Sequence, residues 1–265
     1  MIKIVIKGII IVTAFLLMYN MLMQVDWVRV LKIQKISDKT EEKISNFILD
    51  YLEQTEDSIE TDSLQLFMDE IIVDICRANR KNPDNYKVIL IDKAEVNAFA
   101  LPAGYIIVYS ELLKECSNAS ELSGVMAHEM AHIDLRHVSK KLIREFGVSV
   151  LLAGSAGGGA ETIQQILYYL SSAGFDRGME KQADLKAVDY LLNAKINPVH
   201  LAVFFEKLSL NRKYDGYNLA WLSTHPSLEN RMDYITQYIA RKDIEYRLPR
   251  TSMSWESFST AISRY

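Results

Sequence analysis

The feature that most constrains this chain is the pattern His-Glu-x-x-His formed by His128, Glu129 and His132. At 3.6 residues per turn, two histidines four positions apart lie on one face of an α-helix and can bind the same metal ion through neutral imidazoles. The glutamate between them projects beside the metal, where it can act as the base for a water molecule. The pattern therefore predicts a helix that carries a metal site, and the alternative is an amphipathic helix with two unrelated histidines.

The residues around the pattern favour a helix that begins at about Ala119 and continues into the early 140s. Asn118 can cap its N-terminus, and Glu121, three residues later, can complete a capping box. Apolar residues recur at helical intervals in the same stretch. They are Leu122, Val125, Met126 and Ile133.

A third ligand is expected on another helix, because a catalytic zinc site uses three protein ligands and leaves a fourth position for water. Glu180 is the best candidate, since Glu180 and Asp184 are again four residues apart and Ala183 permits close helix packing. Asp184 can accept a hydrogen bond from the ring nitrogen of His128 that faces away from the metal, which fixes the orientation of that ring. We therefore predict one Zn²⁺ per chain, bound by His128, His132 and Glu180.

Two further stretches complete a set of four separated motifs. The four are His128–His137, Glu180–Asp184, Asn97–Ile106, and Ser223–Pro226 followed by Arg231. The order of these motifs along the chain is that of the gluzincin metallopeptidases related to HtpX and the CAAX prenyl proteases, which the sequence resembles, most of all the BepA-like and Oma-type branch. The resemblance covers about residues 64–241.

This resemblance implies an α+β fold that is mainly α, with a small β-sheet beside the zinc helix. It implies that His225 and Arg231 reach the active site, where His225 either stabilises the oxyanion or caps the zinc in a closed, resting state. It also implies that Asn97 contacts the substrate backbone near the cleaved bond and that Arg231 belongs to the same substrate-binding region. Two positions depart from the family pattern: Ala103 stands where a second glycine is common, and Asp176 where a serine is common.

An uncharged and largely apolar run covers residues 8–25 and follows Lys3 and Lys7. About 20 apolar residues span a bilayer, so this run with its flanks is long enough for a membrane-anchor helix. A cleavable signal peptide is the main alternative, but the run ends in bulky residues instead of a small-x-small site. We expect an uncleaved single-pass anchor. Basic residues on both sides leave its orientation open, and the resemblance implies a body on the periplasmic or extracytoplasmic side.

Apolar periodicity organises the rest of the chain. It predicts one helix within residues 37–66 and a second over about 63–79. Strands are predicted at 86–91, 98–100 and 105–109, and one edge of their sheet is a candidate for binding an extended peptide. The resulting division is an anchor at 1–27, a linker and amphipathic helix at 28–62, a zinc metallopeptidase domain at 63–243 and a partly ordered C-terminal tail at 244–265.

The composition excludes one class of partner. With 265 residues, of which 49% are hydrophobic and 24% charged, the chain can form one sizeable core. Its formal net charge of −4 lacks the basic excess that a nucleic-acid-binding surface requires. The two cysteines, Cys76 and Cys116, lie outside any metal-ligand spacing and form either a disulfide or two buried thiols.

These patterns lead to one main hypothesis, a membrane-anchored zinc endopeptidase. In it Glu129 takes a proton from water and passes it to the leaving amine. The resemblance implies a role in protein quality control, with misfolded or membrane-associated proteins as substrates. Two other classes stay open: a zinc-bearing protein that binds such clients without cutting them, and a metal-free structural domain tethered to the membrane.

Overall fold

A computed structural model describes most of the chain. The described residues are 37–147, 160–211, 220–225, 231–240 and 244–265, together with Thr13. Apart from Thr13, the predicted anchor at 8–25 lies outside these residues. Within the described ranges, no helix combines the length and the apolar character that crossing a membrane requires.

A four-stranded sheet lies at the centre of the described fold. Its strands are β1 Asp57–Ser58, β2 Lys87–Asp92, β3 Ala98–Ala100 and β4 Tyr105–Tyr109. They lie side by side in the order β1-β2-β4-β3, with β2 and β4 parallel and the two outer strands antiparallel to their neighbours. The three predicted strands are confirmed, and β1 is a short addition. The order leaves β3 at one edge of the sheet.

In the described part of the chain, eleven α-helices surround this sheet. They are α1 Asp38–Thr55, α2 Asp62–Ala78, α3 Ser110–Glu115, α4 Ala119–Asp134, α5 His137–Phe146, α6 Ala160–Ser172, α7 Arg177–Ala194, α8 Val199–Asn211, α9 Ala220–Thr224, α10 Arg231–Ile239 and α11 Trp255–Ile262. Successive residues of β4 point to opposite faces, as strand geometry requires. Ile106 and Val108 therefore join a core with α2, α4, α7 and α8, whereas Ile107 and Tyr109 join a second core with α1, α5 and α6. This mainly helical α+β arrangement agrees with the predicted fold class.

The turn that leads into β4, Pro102–Gly104, has backbone conformations that favour glycine. Gly104 has a φ of +90°, and a side chain there would place its Cβ 2.0 Å from the carbonyl oxygen of Asn85. Ala103 also adopts a positive φ, +57°. Left-handed backbone costs energy for residues with a Cβ, so the alanine at this position carries strain that a glycine avoids.

The predicted long helix is in fact two helices. α4 ends at Asp134, and Arg136 then adopts a left-handed conformation with a φ of +54° before α5 begins at His137. The Arg136 guanidinium pairs with Asp38 and Glu41 of α1. No glycine or proline marks this break in the sequence, and the prediction of one helix into the early 140s was therefore wrong.

Residues 244–265, which were predicted to be a partly ordered tail, pack against the body of the protein. Phe258 of α11 is fully buried and stacks on Phe67 of α2 with ring centres 4.2 Å apart, and Trp255 also contacts this pair. Arg247 donates to both carboxylate oxygens of Asp74 at 2.7 Å. Trp255 and Phe258 thus hold the C-terminal segment on the body.

This docking predicts a stability effect far from the metal site. Replacing Phe258 by alanine should lower the free energy of unfolding by about 3–5 kcal/mol, because it removes a fully buried aromatic ring from a packed core. Leu248 lies on the same C-terminal segment but is 75% exposed, so Leu248→Ala is the matched control and should change stability by less than about 0.5 kcal/mol. Urea unfolding measures both, and equal values for the two variants would contradict the docking.

The two cysteines are free thiols. Cys76 and Cys116 are both buried, and neither takes part in a disulfide. Burial raises the pKa of the Cys76 thiol to about 11, so it is protonated and unreactive at neutral pH. Of the two alternatives that the sequence left open, the structure therefore shows buried thiols.

Candidate metal centre

Four side chains that can bind a metal converge inside the body of the protein. They are His128, His132, Glu180 and His225, and one ligand atom of each lies within 4.8 Å of all the others. The Nε2 atom of His128 lies 3.0 Å from Nε2 of His132 and 3.1 Å from Nδ1 of His225. Glu180 Oε1 lies 3.4 Å from His132 Nε2 and 3.1 Å from His225 Nδ1. The three predicted ligands thus meet, and His225 joins them.

Helix α4 supplies two of these histidines and is anchored at its start by local hydrogen bonds. The side chain of Asn118 accepts from the backbone N–H groups of Ser120 and Glu121 at 3.0 and 2.9 Å, which confirms the predicted N-cap. The Glu121 carboxylate accepts from the N–H of Ser117 at 2.9 Å, so the return bond of the capping box reaches one residue further upstream than predicted. These bonds fix where the helix begins and hence which face its histidines occupy.

Helix α7 supplies the acidic side of the centre. Its N-cap is Asp176, whose carboxylate accepts from the N–H of Met179 at 2.9 Å. A serine would cap in the same way, so this departure from the family pattern preserves the helix start. Glu180 then lies in the first turn and Asp184 one turn later, both almost fully buried, and the small Ala183 is buried between them.

Asp184 contacts His128 at the ring nitrogen that the prediction named, and its orienting role stays a prediction. Its Oδ1 lies 2.9 Å from Nδ1 of His128, on the side of the ring that faces away from the ligand cluster. Burial raises the pKa of Asp184, but the Arg231 guanidinium and the His128 N–H outweigh burial and hold that pKa below its ordinary value. Burial also lowers the pKa of His128 to about 3, so its imidazole is neutral. A neutral ring that donates from Nδ1 keeps its Nε2 lone pair for a metal.

Arg231 holds the two acids together. Its Nε donates to Asp184 Oδ2 at 2.7 Å, and its Nη1 lies 3.0 Å from Glu180 Oε2. The guanidinium is 1% exposed and lies 3.7 Å above the ring of Phe205. Two buried carboxylates would be costly without this cation. The structure therefore places Arg231 on the acids of the metal centre, and its contact with substrate stays a prediction.

Glu129 lies between the ligand cluster and the edge strand of the sheet. Its Oε2 accepts from the N–H of Ala100 in β3 at 2.9 Å, and its Oε1 lies 3.4 Å from Nε2 of His225. Burial raises its pKa to about 7. A group with a pKa in this range can both take up and return a proton near neutral pH, which suits the predicted base.

Two aromatic residues that the sequence analysis missed cover the centre. The ring of Phe175 packs on His132 with ring centres 4.0 Å apart, and the indole of Trp221 lies 4.5 Å from His225. The backbone N–H of Trp221 donates to the carbonyl of Val96 at 2.9 Å, which ties α9 to the segment before the edge strand. No regular spacing in the sequence identifies these two aromatic residues as neighbours of the metal centre. The only indication is that each lies a few positions before a residue of the ligand cluster.

Asn97 is bound to the end of α6. Its side-chain N–H group donates to the carbonyl of Ser171 at 3.0 Å and to Glu95 Oε1 at 3.1 Å, and the side chain is fully buried. Its carbonyl oxygen Oδ1 is buried without a hydrogen-bond partner, and its predicted contact with the substrate backbone stays a prediction.

The donor set fits a zinc ion. Histidine nitrogens and a carboxylate oxygen are ordinary zinc ligands, and bonds of about 2.0–2.1 Å in a tetrahedral site separate the donors by roughly 3.3 Å. Four of the donor pairs lie 3.0–3.4 Å apart, close to this value, whereas His128 Nε2 and Glu180 Oε2 lie 3.8 Å apart. Among the described residues, Glu129 Oε1 and His225 Nε2 are buried without a hydrogen-bond partner and lie 3.4 Å from each other.

Fold and site together define a metallopeptidase of the His-Glu-x-x-His class, with Glu180 among the side chains that could bind the metal. Comparison with known families agrees with this class. The sequence profile of Peptidase family M48 matches residues 58–239, and the chain belongs to this family. The resemblance drawn from the four motifs is thereby confirmed.

Curated relatives cover much of the same region. The chain is 32% identical to Metalloprotease LoiP of Escherichia coli (strain K12) over 170 residues, which are 62% of this chain and 66% of that protein. It is 26% identical over 184 residues to Mitochondrial metalloendopeptidase OMA1 of Schizosaccharomyces pombe, which are 68% and 54% of the two chains. The Beta-barrel assembly-enhancing protease of Escherichia coli (strain K12) is 27% identical over 197 residues, 68% and 38%. The chain thus spans less than two thirds of the length of each of these relatives.

Proposed function

We propose that this protein is a zinc-dependent endopeptidase. One observation carries the proposal: the ligand atoms of His128, His132 and Glu180 converge in a buried site beside the carboxylate of Glu129. Membership of Peptidase family M48 supports it, as do the relatives, which include a metalloprotease and a metalloendopeptidase.

In this proposal each residue of the centre has a separate task. Zinc bound by the two histidines and Glu180 supplies Lewis-acid chemistry, which polarises the scissile carbonyl and lowers the pKa of water. Glu129 takes a proton from the water whose oxygen bonds to the carbonyl carbon, and returns it to the amine nitrogen as the C–N bond breaks. The N–H of Ala100 holds Glu129 Oε2, which leaves Oε1 for this proton. Asp184 keeps His128 in the orientation that ligation requires.

For His225 we propose the capping role of the two roles implied by the resemblance. The support is its position: Nδ1 lies 3.1 Å from both His128 Nε2 and Glu180 Oε1, as a fourth ligand would. A fourth protein ligand takes the place that a catalytic site leaves for water. The four ligand side chains are at most 2% exposed, so a substrate reaches them only after α9, which carries Trp221, moves together with His225.

We further propose that the substrate binds as an extended chain along β3. β3 lies at the edge of the sheet next to Glu129, and a sheet edge can bind a peptide backbone with little demand on its sequence. The three residues of β3 are buried in the structure, so the substrate binds there only after the groups that cover this edge move. The unpaired Oδ1 of Asn97 would accept a hydrogen bond from the substrate main chain, and release of the bond to Ser171 would free its N–H group as well. The role of Arg231 in substrate binding is proposed from the resemblance alone. Misfolded or membrane-associated proteins fit such unspecific binding, in a quality-control role that the name of the Beta-barrel assembly-enhancing protease also suggests.

The proposed location is the membrane, through a single N-terminal anchor at residues 8–25 and with the body on the periplasmic or extracytoplasmic side. The support is the apolar run itself, which follows two lysines. We propose the domain boundaries of the sequence analysis unchanged, with the metallopeptidase domain at 63–243.

A zinc-bearing protein that binds clients without cutting them is the second candidate. The closed position of His225 among the ligand atoms favours it, because a permanent fourth ligand would leave no place for water. Zinc content alone does not separate the two candidates, whereas proteolysis by any variant of this chain does.

Metal removal tests the proposed activity. The purified full-length chain in detergent should degrade casein, lose this activity with 1,10-phenanthroline and regain it with one equivalent of zinc, because the carbonyl is not polarised without the metal. The non-chelating isomer 1,7-phenanthroline is the matched control and should leave the activity unchanged. Undiminished activity in a sample shown to be zinc-free would contradict the proposal.

A further inference from the structure

His137 is buried beside the metal centre, and the proposed mechanism gives it no task. Its Nδ1 lies 3.2 Å from Nδ1 of His132, and its Nε2 lies 3.4 Å from Oε1 of Gln182. The His137 side chain is fully buried, whereas Gln182 lies at the surface. The three residues come from α4, α5 and α7, so a chain of polar contacts runs from the metal centre to the surface.

Ligation fixes where each proton in this chain must lie. A neutral imidazole carries one N–H, and His132 binds zinc through Nε2 only if its proton lies on Nδ1. That N–H faces His137 Nδ1, which must then be the acceptor. His137 therefore carries its own proton on Nε2 and donates it to the carbonyl oxygen of Gln182.

The opposite arrangement prevents ligation. If the Gln182 amide turns and donates its N–H to His137 Nε2, the proton of His137 lies on Nδ1 and points at His132. The proton of His132 is then displaced to Nε2, the atom that zinc needs. An amide can act in either sense, because it offers both a donor and an acceptor.

We propose that His137 and Gln182 are positioning residues that hold His132 in its zinc-binding tautomer and thereby set the affinity of the centre for zinc. This inference rests on the proposed function, since it requires His132 to be a zinc ligand. It assigns a task to α5, the helix that the break at Arg136 places beside α4.

The two ligand histidines of α4 then have different hydrogen-bond partners at Nδ1. His128 donates to Asp184, a carboxylate that can only accept and is held ionised by Arg231. His132 has a neutral partner, and the amide behind that partner allows both proton arrangements. The zinc affinity of the site is therefore adjustable through the partners of His132 and not through those of His128.

The contacts from His132 through His137 to Gln182 are called the relay below. Substitutions at the surface residue Gln182 test the relay without disturbing the core. In Gln182→Glu the side chain can only accept a hydrogen bond. Its charge-assisted bond from the His137 N–H should tighten zinc binding by about threefold or more. Gln182→Met removes the acceptor and should weaken binding by about tenfold. His137→Phe leaves the His132 N–H unpaired and should weaken binding by about 10–100-fold. Gln237→Glu and Gln237→Met, at an exposed position of α10, are the matched controls and should bind like the wild type.

Zinc affinity is measured on the full-length chain by competition with a chromophoric chelator, and the fold of each zinc-free variant is checked by circular dichroism. Dissociation constants for both Gln182 variants within twofold of wild type would overturn the relay while leaving the zinc site intact. A folded wild-type chain that binds no zinc would overturn the proposed function and the relay with it. The order Gln182→Glu, wild type, Gln182→Met, from tightest to weakest, supports the relay.

The tautomers give a second readout that a merely structural role for His137 would not change. Long-range ¹H–¹⁵N NMR of the zinc-loaded chain reports which imidazole nitrogen carries the proton. We expect the proton on Nε2 of His137 and on Nδ1 of His132. A proton on Nδ1 of His137 in the zinc-loaded chain would overturn the proposal.

Discussion

Glu129→Gln should abolish hydrolysis of casein while the fold and the zinc content stay those of the wild type. Glutamine has nearly the same shape and can still accept the hydrogen bond from the N–H of Ala100 through its carbonyl oxygen. It cannot take up a proton, and loss of a general base lowers turnover by about 10²–10⁴-fold. The loss should therefore appear in kcat, with little change in the binding of zinc.

The control for this variant is Glu206→Gln, which removes the same charge from an exposed position of α8. It should retain full activity. Proteolysis by a Glu129→Gln preparation that is shown to carry zinc would refute the assignment of the base. Loss of zinc together with activity would show that the substitution acts on the metal site and not on proton transfer.

His225→Ala distinguishes the two roles proposed for this histidine. If His225 caps the centre, the variant keeps three ligands, opens the fourth position and should cut casein about tenfold faster or more, because the closed form no longer competes. If His225 stabilises the oxyanion, turnover should fall by about 10²–10³-fold instead. Its contacts of 3.1 Å with two ligand atoms lead us to expect the gain.

Zinc content and a second histidine variant complete this experiment. His225→Ala should retain one zinc per chain, measured on the same samples as the activity. His200→Ala, which removes a histidine of α8 that lies outside the ligand cluster, should behave like the wild type. If zinc-loaded His225→Ala cuts casein no faster than the wild type, the capping role of His225 is contradicted. If neither the wild type nor any variant cuts casein, the client-binding alternative is favoured.

The parts of the site that sequence alone predicted are those set by helix periodicity. His128 and His132 are four residues apart, as are Glu180 and Asp184, and any α-helix brings residues at this spacing onto one face. Even the contact between Asp184 and His128 followed from the chemistry of a ligand ring that needs an acceptor behind it. Strand alternation likewise located three of the strands to within one residue.

Predictions failed where distant residues determine local structure. The break at Arg136 has no glycine or proline to announce it, and it coincides with ion pairs to Asp38 and Glu41, nearly a hundred positions earlier in the chain. The same break turns His137 toward His132. Phe175 and Trp221 escaped notice because aromatic residues near a helix end have no spacing rule that separates a cover for a site from ordinary core.

The sequence by itself predicted the candidate ligands, the helices that carry them and the candidate base, because these depend on residues a few positions apart and on the fixed geometry of a helix. It also predicted the family, from four motifs between Asn97 and Arg231. Only the tertiary structure showed that His225 joins the ligand cluster. His225 lies 97 positions after His128 in the chain, yet its Nδ1 lies 3.1 Å from a ligand nitrogen of that residue. Such a meeting depends on how α4, α7 and α9 pack against one another, and packing is a property of the whole fold that no local pattern contains.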